Sequence, residues 1–498
     1  MQFNSVNFML YFPIVIGLYF VIPSKWRKMW LLLASYYFYM SWNAKYVLLI
    51  GTSTIATYIC GLLLSKCMKE KAAVWKKKTI IVSCMILNLG ILAVFKYGNF
   101  TIDSVNAILK MFHMNVIDRK IDLLLPVGIS FYTFQALGYI VDVYRGDVEA
   151  EKDFCRYALF VSFFPQLVAG PIERSKNLLN QMRGIEKIRL WNARRVTSGA
   201  ILMVWGFFMK MVISDRIALL VNQVFDNYRV YGSTELILAA LGFTVQIYCD
   251  FGSYSIIAIG AAKIMGFELM ENFNTPYFAR NIRDFWSRWH ISLSTWFKDY
   301  LYIPLGGNRK GKWRKALNLM IVFLVSGLWH GARWNFVAWG GIHGLYQVIG
   351  DLSRHTKEKI IKRLQIKTEC MSWKLLQTVI TFSLVVFAWV FFRADSITDA
   401  LYFIKRMLIR QTPWALFDGT IYTLGLDATE MNILIFSIIV LLLVDLIKYR
   451  KKINLDEFLF EQNIWFEWLV LIVLIGMIFV FGEYGPAFDV QQFIYFQF

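Results

Sequence analysis

His290 and His330 are the two side chains of this sequence whose type and setting could do chemistry. Both lie within residues 281–350, which read NIRDFWSRWHISLSTWFKDYLYIPLGGNRKGKWRK and then ALNLMIVFLVSGLWHGARWNFVAWGGIHGLYQVIG. His330 is sunk in an apolar run, since residues 316–328 before it and 336–349 after it are nearly all hydrophobic. An ionisable group at membrane depth is costly and usually faces an interior cavity; a buried histidine that merely bridges helices is the plainer reading. A lone imidazole can take the proton of an alcohol attacking an activated acyl group, provided the two substrates are held in line. The chain has no GxSxG elbow, no catalytic-cysteine signature and no HExxH. Hydrolysis through a serine, a thiol or a zinc-bound water therefore finds no support, and acyl transfer in a membrane cavity is the natural candidate.

If residues 282–301 are helical, Trp286, Trp289, His290, Leu293, Trp296, Phe297 and Tyr300 share one face. Arg283, Asp284, Arg288, Lys298 and Asp299 occupy the other, and Pro304, Gly306 and Gly307 end the segment. This is the pattern of a helix lying at the membrane surface or plugging a cytoplasmic mouth. The ordinary account of His290 there is a packed ring satisfied by one hydrogen bond. Helical spacing sets Arg333 and Trp334 beside His330, with Gly327, Gly331, Gly340 and Gly341 allowing close approach or a break. His343 is a lesser candidate, and His113 and His355 lie in polar links. The loop GGNRKGKWRK either flanks a span in the ordinary way or, through Arg309, Lys310 and Lys312, holds the phosphates of a nucleotide-bearing donor. GGN is not a phosphate-binding fingerprint.

The elements that must position these residues follow from composition. With 57% hydrophobic and 17% aromatic residues among 498, the chain has more apolar surface than one soluble core can use, and its apolar runs of about 20 residues suit membrane-spanning helices. The expectation is an all-α, polytopic helical membrane protein. The net charge of +19 sits in the links between runs, which points to orientation in the bilayer rather than to nucleic acid. Six scattered cysteines, without CxxC, suggest neither a disulfide framework nor a metal site.

Spans are expected near 8–22, 29–42, 47–64, 79–97, 123–143, 196–225, 235–265, 375–392, 431–447 and 465–482. The first lacks a positive n-region and a cleavage site, so it reads as a retained helix. Lysines at 66–78 mark the cytoplasmic side, and an even count of crossings would put both termini outside. Pro165, Gly170 and Pro171 interrupt the run FCRYALFVSFFPQLVAGPIERSKN, which reads as a re-entrant element. Residues 98–122 read as a mixed polar segment, 354–367 as a basic loop, and the segment bearing Lys405, Arg406 and Arg410 as too amphipathic to span.

The runs ENFNTPYFARNIRDFWSRWHISLSTWFKDYLYIPLGGN and SGLWHGARWNFVAWGGIHGLY resemble the membrane-bound O-acyltransferase family, specifically its bacterial polysaccharide branch. LLPVGISFYTFQALGYIVDVYRG, FFPQLVAGPIER, VFFRADS and the ending FIYFQF extend the resemblance over essentially the whole chain. It implies one transmembrane domain over 1–498 with its core at 123–350, built as a ring of tilted helices with re-entrant segments around a central tunnel. It implies that His330 of WHG is the catalytic histidine and that His290 of RWH assists or lines the donor path. It further implies acetyl-CoA as donor substrate with no permanently bound cofactor, a cell-surface polysaccharide as acceptor, and an extracytoplasmic SGNH-type acetyltransferase as partner in the cell membrane. A D-alanyl transferase acting on teichoic acid from a carrier protein is the near alternative, though that branch is shorter. A transporter of polymer precursors fits the helices alone. Where many relatives have DFSGYSD this chain reads DFGSYSI, so Asp250 is kept and the second acidic position is Ile256.

Overall fold

The computed structural model describes residues 1–118, 120, 121, 125–168, 170–484 and 494. All regular structure among them is helical. Among the described residues, seven stretches are long and apolar enough to cross a membrane: Ala44–Lys69, Val74–Met111, Ala193–Asp226, Ser233–Met265, Met371–Arg393, Ala428–Lys451 and Ile464–Phe481. The chain is an all-α, multi-pass membrane protein. It packs as two compact units, residues 1–200 with 258–270 and residues 201–257 with 271–498.

In the first unit, α1 (Val6–Val21), α2 (Arg27–Met40) and α3 (Val47–Lys69) match the first three expected runs. α4 (Val74–Leu92) passes through a π turn at Ala93–Tyr97 straight into α5 (Gly98–Met111). The polar residues after 97 therefore interrupt the hydropathy but not the helix, and no α5 side chain is buried. α6 (Ile129–Arg145) is buried along nearly its whole length. The expected interruption is present: α7 (Phe154–Ser162) stops at Phe163, and a single turn, α8 (Phe164–Leu167), restarts with Pro165 in it. Backbone groups freed at such a break must find partners inside the protein. Here the Gln135 and Gln166 amides donate to the Phe160 carbonyl at 2.6 and 3.3 Å, and Ser35 Oγ accepts the Phe164 N–H at 3.2 Å. After the short α9 (Asn180–Arg183), α10 (Ala193–Phe207) begins.

α10 widens into a π turn at Phe208–Ser214 before α11 (Asp215–Asp226), and α12 (Ser233–Met265) follows. In the second unit the wide turn sets the buried Lys210 ammonium 2.7 Å from Asp215 and 2.6 Å from Asp250 of α12. The region expected as one helix over 282–301 is two, α13 (Ile282–Arg288) and α14 (Ile291–Phe297), followed by a π turn at Lys298–Tyr302. α15 (Lys312–His330) and α16 (Trp334–Leu352) form a tight hairpin. A Cβ on Gly327 would meet the Phe336 carbonyl, and one on Gly340 the Phe323 carbonyl, so only glycine permits this approach. Basic residues expected as a loop instead form the exposed α17 (Arg354–Arg363), because Lys, Arg and Glu are good helix formers and Arg354 pairs with Glu358 one turn on at 3.1 Å. α18 (Met371–Arg393), the amphipathic α19 (Ile397–Ile409), α20 (Ala428–Lys451), α21 (Leu455–Phe460) and α22 (Ile464–Phe481) complete the chain.

Candidate active site

His290 sits in the gap between α13 and α14. Its backbone is left-handed (φ 44°, ψ 54°), a conformation that costs a non-glycine residue roughly 1 kcal/mol or more and persists only when its surroundings enforce it. Asn272 enforces it. The Asn272 backbone carbonyl accepts Ile291 N–H at 3.0 Å, and its side-chain Oδ1 accepts the Ser292 N–H at 3.3 Å and Ser292 Oγ–H at 2.9 Å. Asn272 thus caps α14 from outside the helix. His290 Nδ1 lies 3.1 Å from the same Oδ1. Because the Ser292 N–H can only donate, the atom it faces is the oxygen, and Nδ1 must donate to it as well. The neutral ring then carries its proton on Nδ1 and a lone pair on Nε2. The ring is wholly buried, with Phe251 edge-on at 4.6 Å, and burial pushes its pKa down to about 3, so it is neutral at physiological pH.

His330 is the last residue of α15, 3% exposed. The helix ends there because Gly331 turns extended, and the Phe336 ring fills the space a Cβ on Gly331 would need. Arg333 and Trp334 are consequently not its helical neighbours. Arg333 precedes α16 and pairs with the exposed Asp395 at 3.2 Å. The His330 ring instead stands in an aromatic box, 5.0 Å from Trp329, 5.0 Å from Trp339 and 5.6 Å from Phe392 of α18. The rings of His290 and His330 are 6.3 Å apart at 60°. Two histidines forty residues apart in sequence thus share one buried, largely aromatic enclosure. His343 is buried in α16 with its ring 5.0 Å from Trp339. His113 and His355 are exposed.

A cavity of about 520 Å³ opens beside this enclosure. Ser326, one helical turn before His330, together with Trp286, Leu293 and Phe323, lines it, and Arg283, Lys298 and Lys315 give it a basic rim. Arg283 and Lys315 both pair with Asp351 of α16. Of the basic residues expected to greet a donor, Arg309 and Lys310 are on the exposed turn before α15 and Lys312 is in its first turn; none of the three lines this cavity. Of the rim cations, Lys315 belongs to that stretch, whereas Arg283 and Lys298 come from the polar face of 282–301. Asn272, in ENFNTPY, has no local sequence pattern that ties it to His290, whereas Lys210 is a charge inside an apolar run. For Lys210 the signal was available, since an ion at membrane depth marks a constructed site.

Residues 150–396 match the family model described as MBOAT, the membrane-bound O-acyltransferase family. The chain is 39% identical over 402 residues to the probable alginate O-acetylase AlgI of Pseudomonas aeruginosa, covering 80% of this chain and 73% of that one. The chain belongs to the membrane-bound O-acyltransferase family. Within it, the peptidoglycan O-acetyltransferase of Helicobacter pylori is 34% identical over 436 residues, covering 82% of this chain and 79% of the relative. The teichoic acid D-alanyltransferase of Bacillus subtilis is 28% identical over 286 residues, covering 53% and 68%. As a member of this family the protein is an enzyme, a membrane O-acyltransferase, and the transporter reading falls away.

Proposed function

We propose that this acyltransferase takes an acetyl group from acetyl-CoA on the cytoplasmic side of the cell membrane and delivers it outward for O-acetylation of a cell-surface polysaccharide. His330 acts as general base and His290 supports it. The reading is carried by one observation: two buried imidazoles 6.3 Å apart in an aromatic enclosure, on an acyltransferase chain. In this mechanism the O–H of the group that first receives the acetyl gives its proton to His330 while its oxygen bonds to the thioester carbonyl carbon. The tetrahedral centre collapses by breaking the C–S bond, and the proton passes to the departing thiolate, leaving an ester and a free thiol. His290, neutral and with its Nδ1 proton engaged by Asn272, offers a fixed lone pair beside the base. Arg309, Lys310 and Lys312 follow Asn308 of the cavity lining on an exposed stretch of chain, and their positive charge draws the donor's phosphates toward that side of the protein. A separate extracytoplasmic SGNH-type acetyltransferase completes transfer to sugar hydroxyls.

Acetyl is preferred over D-alanyl because the two O-acetylating relatives align over about four-fifths of this chain and the teichoic acid relative over about half. Membranes containing the protein, given labelled acetyl-CoA and polysaccharide, should release CoA, and those given a D-alanyl carrier protein should leave the carrier's thioester intact. His330→Ala should lower the rate by about 10²–10⁴-fold, the usual worth of a general base. A His330→Ala enzyme as fast as wild type would overturn the assignment, and release only from the D-alanyl carrier would replace the donor.

A further inference from the structure

His343 has no part in the chemistry above, yet it is completely buried, at 0% exposure. Its Nδ1 lies 3.2 Å from Nε1 of Trp286. An indole N–H only donates, so Nδ1 accepts and the neutral ring carries its proton on Nε2; a doubly protonated ring would set two N–H groups against each other. The surroundings are rings rather than charges: Phe285 parallel at 6.2 Å, Phe323 at 6.3 Å, Tyr346 at 5.9 Å and Trp389 at 6.5 Å. This polar contact in an apolar setting therefore fixes one rotamer of Trp286, because any other orientation strands a buried N–H.

Trp286 faces two ways that matter. Its side chain lines the 520 Å³ cavity. Its ring also packs 5.8 Å from Trp339, which His343 touches at 5.0 Å and 73°. Trp339 in turn stands 5.0 Å from the His330 ring, nearly perpendicular at 87°. A continuous set of ring contacts thus runs from a hydrogen bond on α16 through the cavity wall to the imidazole at the end of α15.

We propose that His343 is a positioning residue for acyl transfer: by accepting the Trp286 N–H it fixes that indole as cavity wall and holds the Trp339 face against which the His330 ring is oriented. This rests on His330 being the base. Its consequence is selective. Loss of the acceptor lets the Trp286 and Trp339 indoles shift, misaligning His330, and misplacement by about 1 Å can cost about 10²-fold in rate.

Two substitutions separate ring from acceptor. His343→Phe keeps a ring of similar size and removes the acceptor, whereas His343→Asn places an amide oxygen where Nδ1 was and removes the ring. Initial rates of acetyl transfer are measured against acetyl-CoA concentration in membranes with equal folded enzyme, judged by detergent-extracted yield and thermal midpoint. The expected result is a kcat lower by about 10-fold or more in His343→Phe with KM for the donor within about threefold, and kcat in His343→Asn nearer to wild type than to His343→Phe. Should His343→Phe fail to fold, Trp286→Phe removes the donor of the same hydrogen bond and should give the same loss in kcat. Wild-type kcat in the folded variant, equal loss in His343→Phe and His343→Asn, or a loss confined to KM would overturn the proposal. His330→Ala is run alongside: activity there would overturn the His330 reading itself, while an inactive His330→Ala beside a fully active His343→Phe would refute the positioning role alone.

Discussion

At the scale of single residues, His290 shows how a backbone strain and a protonation state are set by one partner. Asn272 holds the left-handed turn, caps α14 and accepts the hydrogen bond from Nδ1–H, and burial keeps the ring neutral. The folded-state pKa of about 3 lies below the ordinary 6.5. Between those values the unfolded chain binds the proton and the folded chain does not. The stability this group contributes is therefore complete above pH 6.5 and is lost as pH falls toward 3, at about 1.4 kcal/mol per pH unit. His290→Asn suits the left-handed backbone and does not titrate. The thermal midpoint of wild type should drop further between pH 7.5 and 5.5 than that of His290→Asn, by the equivalent of about 1 kcal/mol. Equal drops in the two proteins would show that His290 already titrates normally in the fold. Sequence alone gave His290 and His330 as candidates, but not the tautomer or the partner. Asn272 lies eighteen positions upstream, and no local periodicity links it to the ring.

Elements were legible wherever hydropathy and helix coincide, as in α18, α20 and α22. They were illegible where two short helices keep the spacing of one. Trp286, Trp289, His290 and Leu293 fit a single amphipathic face, and all four are buried, yet the helix breaks between the second and the fourth. Burial was readable there, and the break was not, because it is imposed by the 272–274 segment pairing with residues 288–291. The end of α15 at His330 was likewise hidden in an apolar run, although the glycines around it were visible. Those glycines make a sharp test. A methyl on Gly340 would strike the Phe323 carbonyl, a backbone atom that cannot step aside, whereas one on Gly341 meets only a Leu324 methyl at 3.6 Å. Gly340→Ala should cost about 1–3 kcal/mol as overpacking and reduce activity by disturbing the hairpin that ends in His330. Gly341→Ala should be within about 0.5 kcal/mol of wild type. Similar thermal midpoints for the two variants in detergent would contradict the close-packed hairpin.

For the molecule as a whole, the apolar excess and the basic links settle the membrane class, and what they leave unexplained is the charge kept inside. Lys210, Asp215 and Asp250 are all at most 4% exposed, and Asp250 also accepts the Ile494 N–H at 2.7 Å. The family-like motif retains Asp250, and its partner Lys210, forty positions earlier, explains why this carboxylate can stay buried in the middle of α12. Ions in such a place are tolerable only together, since removing one partner leaves an uncompensated buried charge. Lys210→Met should therefore destabilise the protein by about 3–5 kcal/mol, seen as a large fall in extracted yield and thermal midpoint. Adding Asp215→Asn and Asp250→Asn to Lys210→Met should recover much of that loss, because neutral amides in the same positions need no counter-charge. If the triple variant is no more stable than Lys210→Met, the cost lies in packing around the π turn rather than in the stranded carboxylates, and the cluster would have to be read as a shape rather than as a charge balance.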